Sequence, residues 1–121
     1  EDKILFSRFV NRLFSCECTV DLKNRFIEIK MYKSIDLVQD GIVFFRTIKE
    51  YLEKHFEIIT TNPFLETRIN LRKDGRMTRA VRLKIKRKTS LLRYSQKIGF
   101  EDSKKQERLN LITHHPLLLL H

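Results

Sequence analysis

The period of the hydrophobic pattern changes at one acidic residue, which confines the start of the chain to a helix running directly into a strand. Phe6, Phe9, Val10, Leu13 and Phe14 fall at helical spacing on one apolar face, whereas from Thr19 the residues alternate, Val20 and Leu22 against Asp21 and Lys23. Glu17 stands at the join. An acid at a helix C-terminus opposes the helix dipole, which costs from a few tenths to about 1 kcal/mol. A bound metal ion would offset that cost.

The same succession occurs again further along. Helix one runs from about Ile4 to Cys16, with Glu17 at its end, and Thr19 to Lys23 and Arg25 to Met31 form a hairpin. Its turn lies at Lys23-Asn24, asparagine tolerating the left-handed conformation that such turns need. Ser34 or Asp36 caps a second helix reaching about His55, with Leu37, Val38, Ile42, Phe45, Ile48 and Leu52 on its buried face and Gly41 weakening it slightly. After a loop at Asn62-Pro63, Leu65 to Arg72 and Met77 to Arg87 form a second hairpin across Lys73-Asp74-Gly75-Arg76. Helix three follows from Ser90 to a C-capping Gly99, and Asp102 or Ser103 starts a short fourth helix, so the C-terminal helices cover about 90–112. The order helix-strand-strand-helix-strand-strand-helix contains one half twice. It predicts an α+β fold, αββαββα, with a curved four-stranded sheet, antiparallel or mixed, and its helices on one face. At 121 residues the chain, 1–121, is a single domain.

The other face of such a sheet is open, and parity assigns its residues. In the second strand Ile27, Ile29 and Met31 point to the helices, and Phe26, Glu28, Lys30 and Tyr32 point outward. In the third, Ile69 and Leu71 are inward and Arg68, Asn70 and Arg72 outward; in the fourth, Val81, Leu83 and Ile85 are inward and Arg82, Lys84 and Lys86 outward. Between Glu66 and Ser90 ten basic residues stand against two acids, a balance of +8 out of a formal net charge of +10. Repulsion among so many like charges disfavours a strand pair that is basic only to keep its edge soluble.

A ribbon of this kind fits the DNA major groove, about 12 Å wide, where arginine reads guanine and asparagine reads adenine. Lys30, Tyr32, Arg68, Asn70, Arg72, Arg76, Arg79, Arg82, Lys84 and Lys86 are the candidate DNA-binding residues. RNA is a second candidate partner, its single strands being read by stacking on exposed aromatics, here chiefly Phe26 and Tyr32.

Composition sets further limits. A pI near 9.9 favours a polyanionic partner, and an apolar fraction of 41% argues for a folded domain rather than a disordered basic tail. Cys16 and Cys18 have no second pair with which to complete a zinc site, and a disulfide between residues two apart would be strained. Thiols of this kind fit a reducing, intracellular compartment, cytoplasmic or organellar. His55, His114, His115 and His121 form no metal-ligand or triad spacing. The longest apolar run, Leu117 to Leu120, is too short to cross a bilayer, so no membrane is expected; it docks on the domain or a partner subunit, or is the stub of a longer segment. The chain opens on Glu1 rather than Met, as a piece of a longer chain would.

The nine residues Val10, Asn11, Arg12, Leu13, Phe14, Ser15, Cys16, Glu17 and Cys18 resemble the signature helix of the LAGLIDADG homing endonucleases, a common variant of which reads roughly F-L-x-G-L-F-x-A-E-G. The line Phe26-Ile-Glu-Ile-Lys30 is similar to the family's second strand, and Tyr94 to Phe100 with Lys104, Lys105 and Leu109 is similar to its closing I-G-F, K-x-x-L element. The resemblance covers about Ile4 to Leu109. Arg12 departs from it, standing where a glycine lets two such helices pack closely, and Cys18 replaces the glycine after the acid.

The resemblance implies a site-specific double-strand DNA endonuclease, encoded with an intron or intein, that works as a homodimer or as part of a two-motif chain. Two signature helices would pack about the two-fold axis and bring two Glu17 carboxylates onto Mg²⁺ or Mn²⁺, with a backbone carbonyl of Cys16 or Cys18 completing the coordination. Glu17 and Cys18 are thus the candidate metal ligands. A basic residue lining the pocket would be Lys84 or Lys86, which joins Glu17 as a candidate catalytic residue. A member of the same fold that binds nucleic acid without cutting it, as a splicing cofactor or regulator, is the alternative, and an unrelated basic RNA-binding protein is a third.

Overall fold

A computed structural model describes residues 2–113; the Leu117 to Leu120 run and His114, His115 and His121 lie outside the described residues. The elements are α1 (Asp2–Glu17), β1 (Cys18–Asp21), β2 (Phe26–Ser34), a single 3-10 turn (Ile35–Leu37), α2 (Val38–Phe56), β3 (Phe64–Leu71), β4 (Met77–Ile85), α3 (Lys88–Lys97) and α4 (Ser103–Thr113). The expected α+β order is present. The sheet is antiparallel throughout, in the order β1-β2-β4-β3, so the two hairpins meet along β2 and β4.

Alternation decides which side of the sheet is buried. Ile27 and Ile29 of β2 and Val81, Leu83 and Ile85 of β4 pack with Val10 and Phe14 of α1 and Phe45, Ile48 and Leu52 of α2. Each of these large side chains contributes roughly 1.5–3 kcal/mol by leaving water. Tyr94 of α3 lies in the same core, its ring 5.4 Å from that of Phe14 and 5.2 Å from that of Phe100. α2 approaches the sheet at Gly41, where a Cβ would lie 3.1 Å from Val81 Cγ2 and 3.2 Å from Lys33 Cγ. That close passage accounts for a glycine inside a helix.

Four local expectations are corrected. Neither Ser34 nor Asp36 caps α2: Ser34 still pairs with Thr78 in the sheet, makes no capping bond, and the chain turns into α2 through the 3-10 turn. Leu37, in that turn, is consequently exposed rather than buried. In the first hairpin Arg25, not Asn24, takes the left-handed conformation, with φ 57°. Asn24 instead donates from its backbone and side-chain nitrogens to the Asp21 carboxylate, at 2.9 and 3.1 Å. Finally, Ile69 and Leu71 point to the helix side of the sheet but are 54% and 72% exposed. The second hairpin extends past the helices there, and β3 shifts register between Leu65 and Ile69.

Candidate nucleic-acid interface

Strand register maps the open face row by row. Glu28 pairs with Lys84, Lys30 with Arg82, Tyr32 with Ala80 and Ser34 with Thr78, while Phe64 of β3 pairs with Arg82. The middle of this face is an ion-pair network. Arg82 reaches both carboxylate oxygens of Glu28 at 3.3 Å through Nη1 and bonds Glu66 through Nη2. The Lys84 ammonium lies 3.6 Å from the same Glu28, 4.5 Å from the centre of the Phe26 ring and 5.7 Å from that of Phe64. Glu28 and Glu66 thus neutralise Arg82 and Lys84, two of the three cations at the centre of a face that alternation reads as a basic stripe.

More exposed basic residues lie at the two ends. Beyond β4, Lys86, Arg87 and Lys88 are exposed. At the other end Arg68, Arg72, Lys73 and Arg76 are exposed around the hairpin turn, which is closed by Arg72 N donating to Arg76 O at 2.8 Å and Gly75 N donating to Arg72 O at 2.9 Å. Arg76 has a loose partner, Asp74, at 4.0 Å. Arg79 does not join the open face: it pairs with Ile69 and Lys33 on the helix side and donates from Nε and Nη2 to the Glu66 carbonyl, at 3.0 and 2.9 Å, across the irregular stretch of β3. Asn70 has the open-face register, yet its amide nitrogen is buried.

Glu17 is the last residue of α1 and is exposed. Because Cys18 pairs with Ile29, continuing that register by one residue brings Glu17 to the level of Lys30. Glu17 lines a cleft of about 340 Å³ with Leu13, Ile29, Met31, Tyr32 and Phe45, where β1 begins opposite Ile29 and leaves the following edge of β2 unpaired by it. Lys30 shares its row with Arg82, and its ammonium is 5.6 Å from the centre of the Tyr32 ring; Lys84 lies one row further, and Lys86 is past the end of β4. The residues lining this cleft include none of Lys30, Lys84 and Lys86.

The end of α1 is held from the α3–α4 loop and the first turn of α4. Lys105 donates from its ammonium to the Ser15 carbonyl, Glu101 N donates to Ser15 Oγ at 2.7 Å, and Asn11 Nδ2 donates to Ile98 O at 2.9 Å. A cation thus compensates the helix terminus that Glu17 would otherwise burden. Cys18 is buried, and burial pushes its thiol pKa far above the ordinary value, with the Lys105 charge and a hydrogen bond from the Glu28 backbone acting in the opposite direction. Its sulfur is therefore a protonated core group, and only its backbone carbonyl is suited to a hard cation.

Among the described residues the outer side of α1 is uncovered. Leu5, Phe9, Arg12 and Cys16 recur at spacings of four, three and four residues, which puts them on one stripe. All four are exposed, Leu5 by 64% and the Arg12 side chain by 78%. Arg12 reaches towards Glu101, 3.9 Å away on the α3–α4 loop. Among the described residues no group of three or more His, Cys, Asp or Glu could hold a metal ion within one copy of the chain. No helix of the described residues is long and apolar enough to cross a membrane. Comparison with protein-family models, with curated proteins and with solved structures finds no match to this chain.

Proposed function

We propose that the chain is one protomer of a LAGLIDADG-type endonuclease that hydrolyses phosphodiester bonds in double-stranded DNA. The observation that carries this reading is the uncovered stripe of α1 ending beside an exposed acid, Glu17, at the level of Lys30. Two such stripes facing one another would bury Leu5, Phe9 and Cys16 and bring two carboxylates to one seam. The fold order and the basic hairpin agree with it.

The donors present suit a hard divalent cation: Glu17 from each protomer, and the backbone carbonyl of Cys18 or Cys16. Mg²⁺ or Mn²⁺, when bound, supplies Lewis-acid stabilisation of charge on the phosphoryl oxygens. The remaining work falls to the chain. Lys30 holds a positive charge at the level of the acid, and the cations at both ends of the sheet grip the flanking phosphates and set the register of the duplex. Free thiols at Cys16 and Cys18 suit a reducing compartment, cytoplasmic or organellar.

The test is cleavage of a randomised-sequence DNA library in Mg²⁺ and in Mn²⁺, with dimerisation followed by sedimentation. Wild type should cut both strands as a dimer, and Glu17→Gln should bind equally well without cutting. A protein that stays monomeric on DNA and never cuts in either metal refutes the proposal.

One feature favours the second reading, a binder of the same fold that does not cut. Arg12 lies on the outer stripe itself, where a long cation keeps two helices apart unless Glu101 draws it aside. In that case Arg12→Gly should strengthen dimerisation, and Glu17→Gln should change nothing measurable.

A further inference from the structure

We propose that the open sheet face also binds single-stranded nucleic acid, holding unpaired bases on a platform formed by Phe26, Tyr32 and Phe64. The inference goes beyond the endonuclease reading and asks nothing of Glu17 or of a second copy of the chain. Phe26 and Phe64 share this face, since the Lys84 ammonium lies within 4.5 Å of one ring centre and 5.7 Å of the other. Tyr32, two rows from Glu28 on the same face, is 54% exposed with Lys30 beside its ring. Among the described residues no helix lies over these rings, and each has a cation against it.

The charge distribution separates this ligand from a duplex. A duplex offers phosphates and base edges but hides the faces of its bases, so it gains little from exposed rings. Two of the three cations at the centre of the sheet face, Arg82 and Lys84, are held by Glu28 and Glu66, and the third, Lys30, lies beside the Tyr32 ring. A phosphate gains little there. An unpaired base presents a neutral flat surface that stacks on an aromatic ring whatever its sequence. Further exposed cations lie at the two ends, Arg68, Arg72 and the loosely paired Arg76 at one and Lys86, Arg87 and Lys88 at the other, where they can hold the backbone as it leaves the platform. DNA and RNA share this chemistry, and both would compete with duplex DNA for the same face.

The experiment compares binding of one labelled mixed-sequence oligonucleotide as single-stranded DNA, as single-stranded RNA and as the blunt DNA duplex, by fluorescence anisotropy. Tyr32→Ala and Phe64→Ala should each weaken binding of at least one single strand by about tenfold and of the duplex by less than about twofold. Tyr32→Phe, which keeps the ring, should retain wild-type affinity for that strand. The salt slope should be unchanged in these variants. It should become shallower by roughly 0.7 for each phosphate left without its cation when Arg72 and Arg76 are replaced by Gln. Urea midpoints verify that the alanine variants are folded. Unchanged single-strand affinity in both alanine variants, or an equal loss for the duplex, overturns the proposal. Glu17→Gln, the variant that tests cleavage, should leave single-strand binding intact, so the two readings fail separately.

Discussion

Lys105, in the first turn of α4, donates from its ammonium to the carbonyl of Ser15 in the last turn of α1. The interaction puts a positive charge at a helix terminus that ends in an acid and has no basic residue in its last turn. It also ties the position of Glu17 to the α3–α4 loop.

Replacing that cation should loosen the join. Lys105→Met removes one charge-assisted hydrogen bond and leaves Glu17 facing the helix dipole alone, a loss of about 1–2 kcal/mol. Urea unfolding should show a lower midpoint with an unchanged slope. Lys105→Arg should recover most of the loss, and adding Glu17→Gln to Lys105→Met should recover some tenths of a kcal/mol.

Arg82 joins three strands through Glu28 of β2 and Glu66 of β3. The three side chains are only 11–24% exposed, so removing the guanidinium leaves two carboxylates poorly solvated. Arg82→Met should destabilise the domain by about 2–3 kcal/mol, slightly less than a fully buried pair. If the stability of Arg82→Met equals that of wild type, the network contributes nothing to the sheet.

Gly99 follows α3 with φ +71°, its N–H donating to Tyr94 O at 2.8 Å. A Cβ there would lie 3.1 Å from Gln106 Oε1, the atom that accepts from Phe100 N. Gly99→Ala should cost about 1–2 kcal/mol from the left-handed backbone alone. Thermal unfolding would record it as a fall of several degrees in Tm.

Stability should fall at both extremes of pH, for different groups. Asp21 is held below its ordinary pKa of 3.8 by hydrogen bonds from the Asn24 backbone and side chain, and Asp102 by the bond from Lys105 N. Their stabilisation is present above 3.8 and is lost as pH falls through the depressed folded values. Asp21→Asn and Asp102→Asn should flatten the acid limb of a pH–stability curve. On the alkaline side burial keeps the Cys18 thiol and the Tyr94 hydroxyl protonated in the folded chain, whereas the unfolded chain ionises them near 9.0 and 10.0, so stability declines above pH 9. An aromatic-disulfide reagent should accordingly titrate the exposed Cys16 in the native protein and Cys18 only on unfolding.

Much of the fold was legible because its signals are local. The shift from helical to alternating period marked the end of α1 within a residue, and alternation assigned the buried and open faces of β2 and β4. It failed for Ile69 and Leu71 because parity fixes the side of a sheet, not how far the helix layer extends over it. The caps at Ser34 and Asp36 were misplaced because pairing of Ser34 with Thr78 outweighed its capping preference.

The amino-acid order alone established the element succession, the concentration of basic residues on one hairpin, and an acid at the first helix–strand join, since each depends on neighbours within a few positions. Only the tertiary structure decided which charges are free. Arg82 finds Glu28 across 54 positions and Glu66 across 16, and Lys105 finds Ser15 across 90. Such partners are chosen by the strand order β1-β2-β4-β3 and by how α4 closes on α1, and no spacing along the chain encodes them.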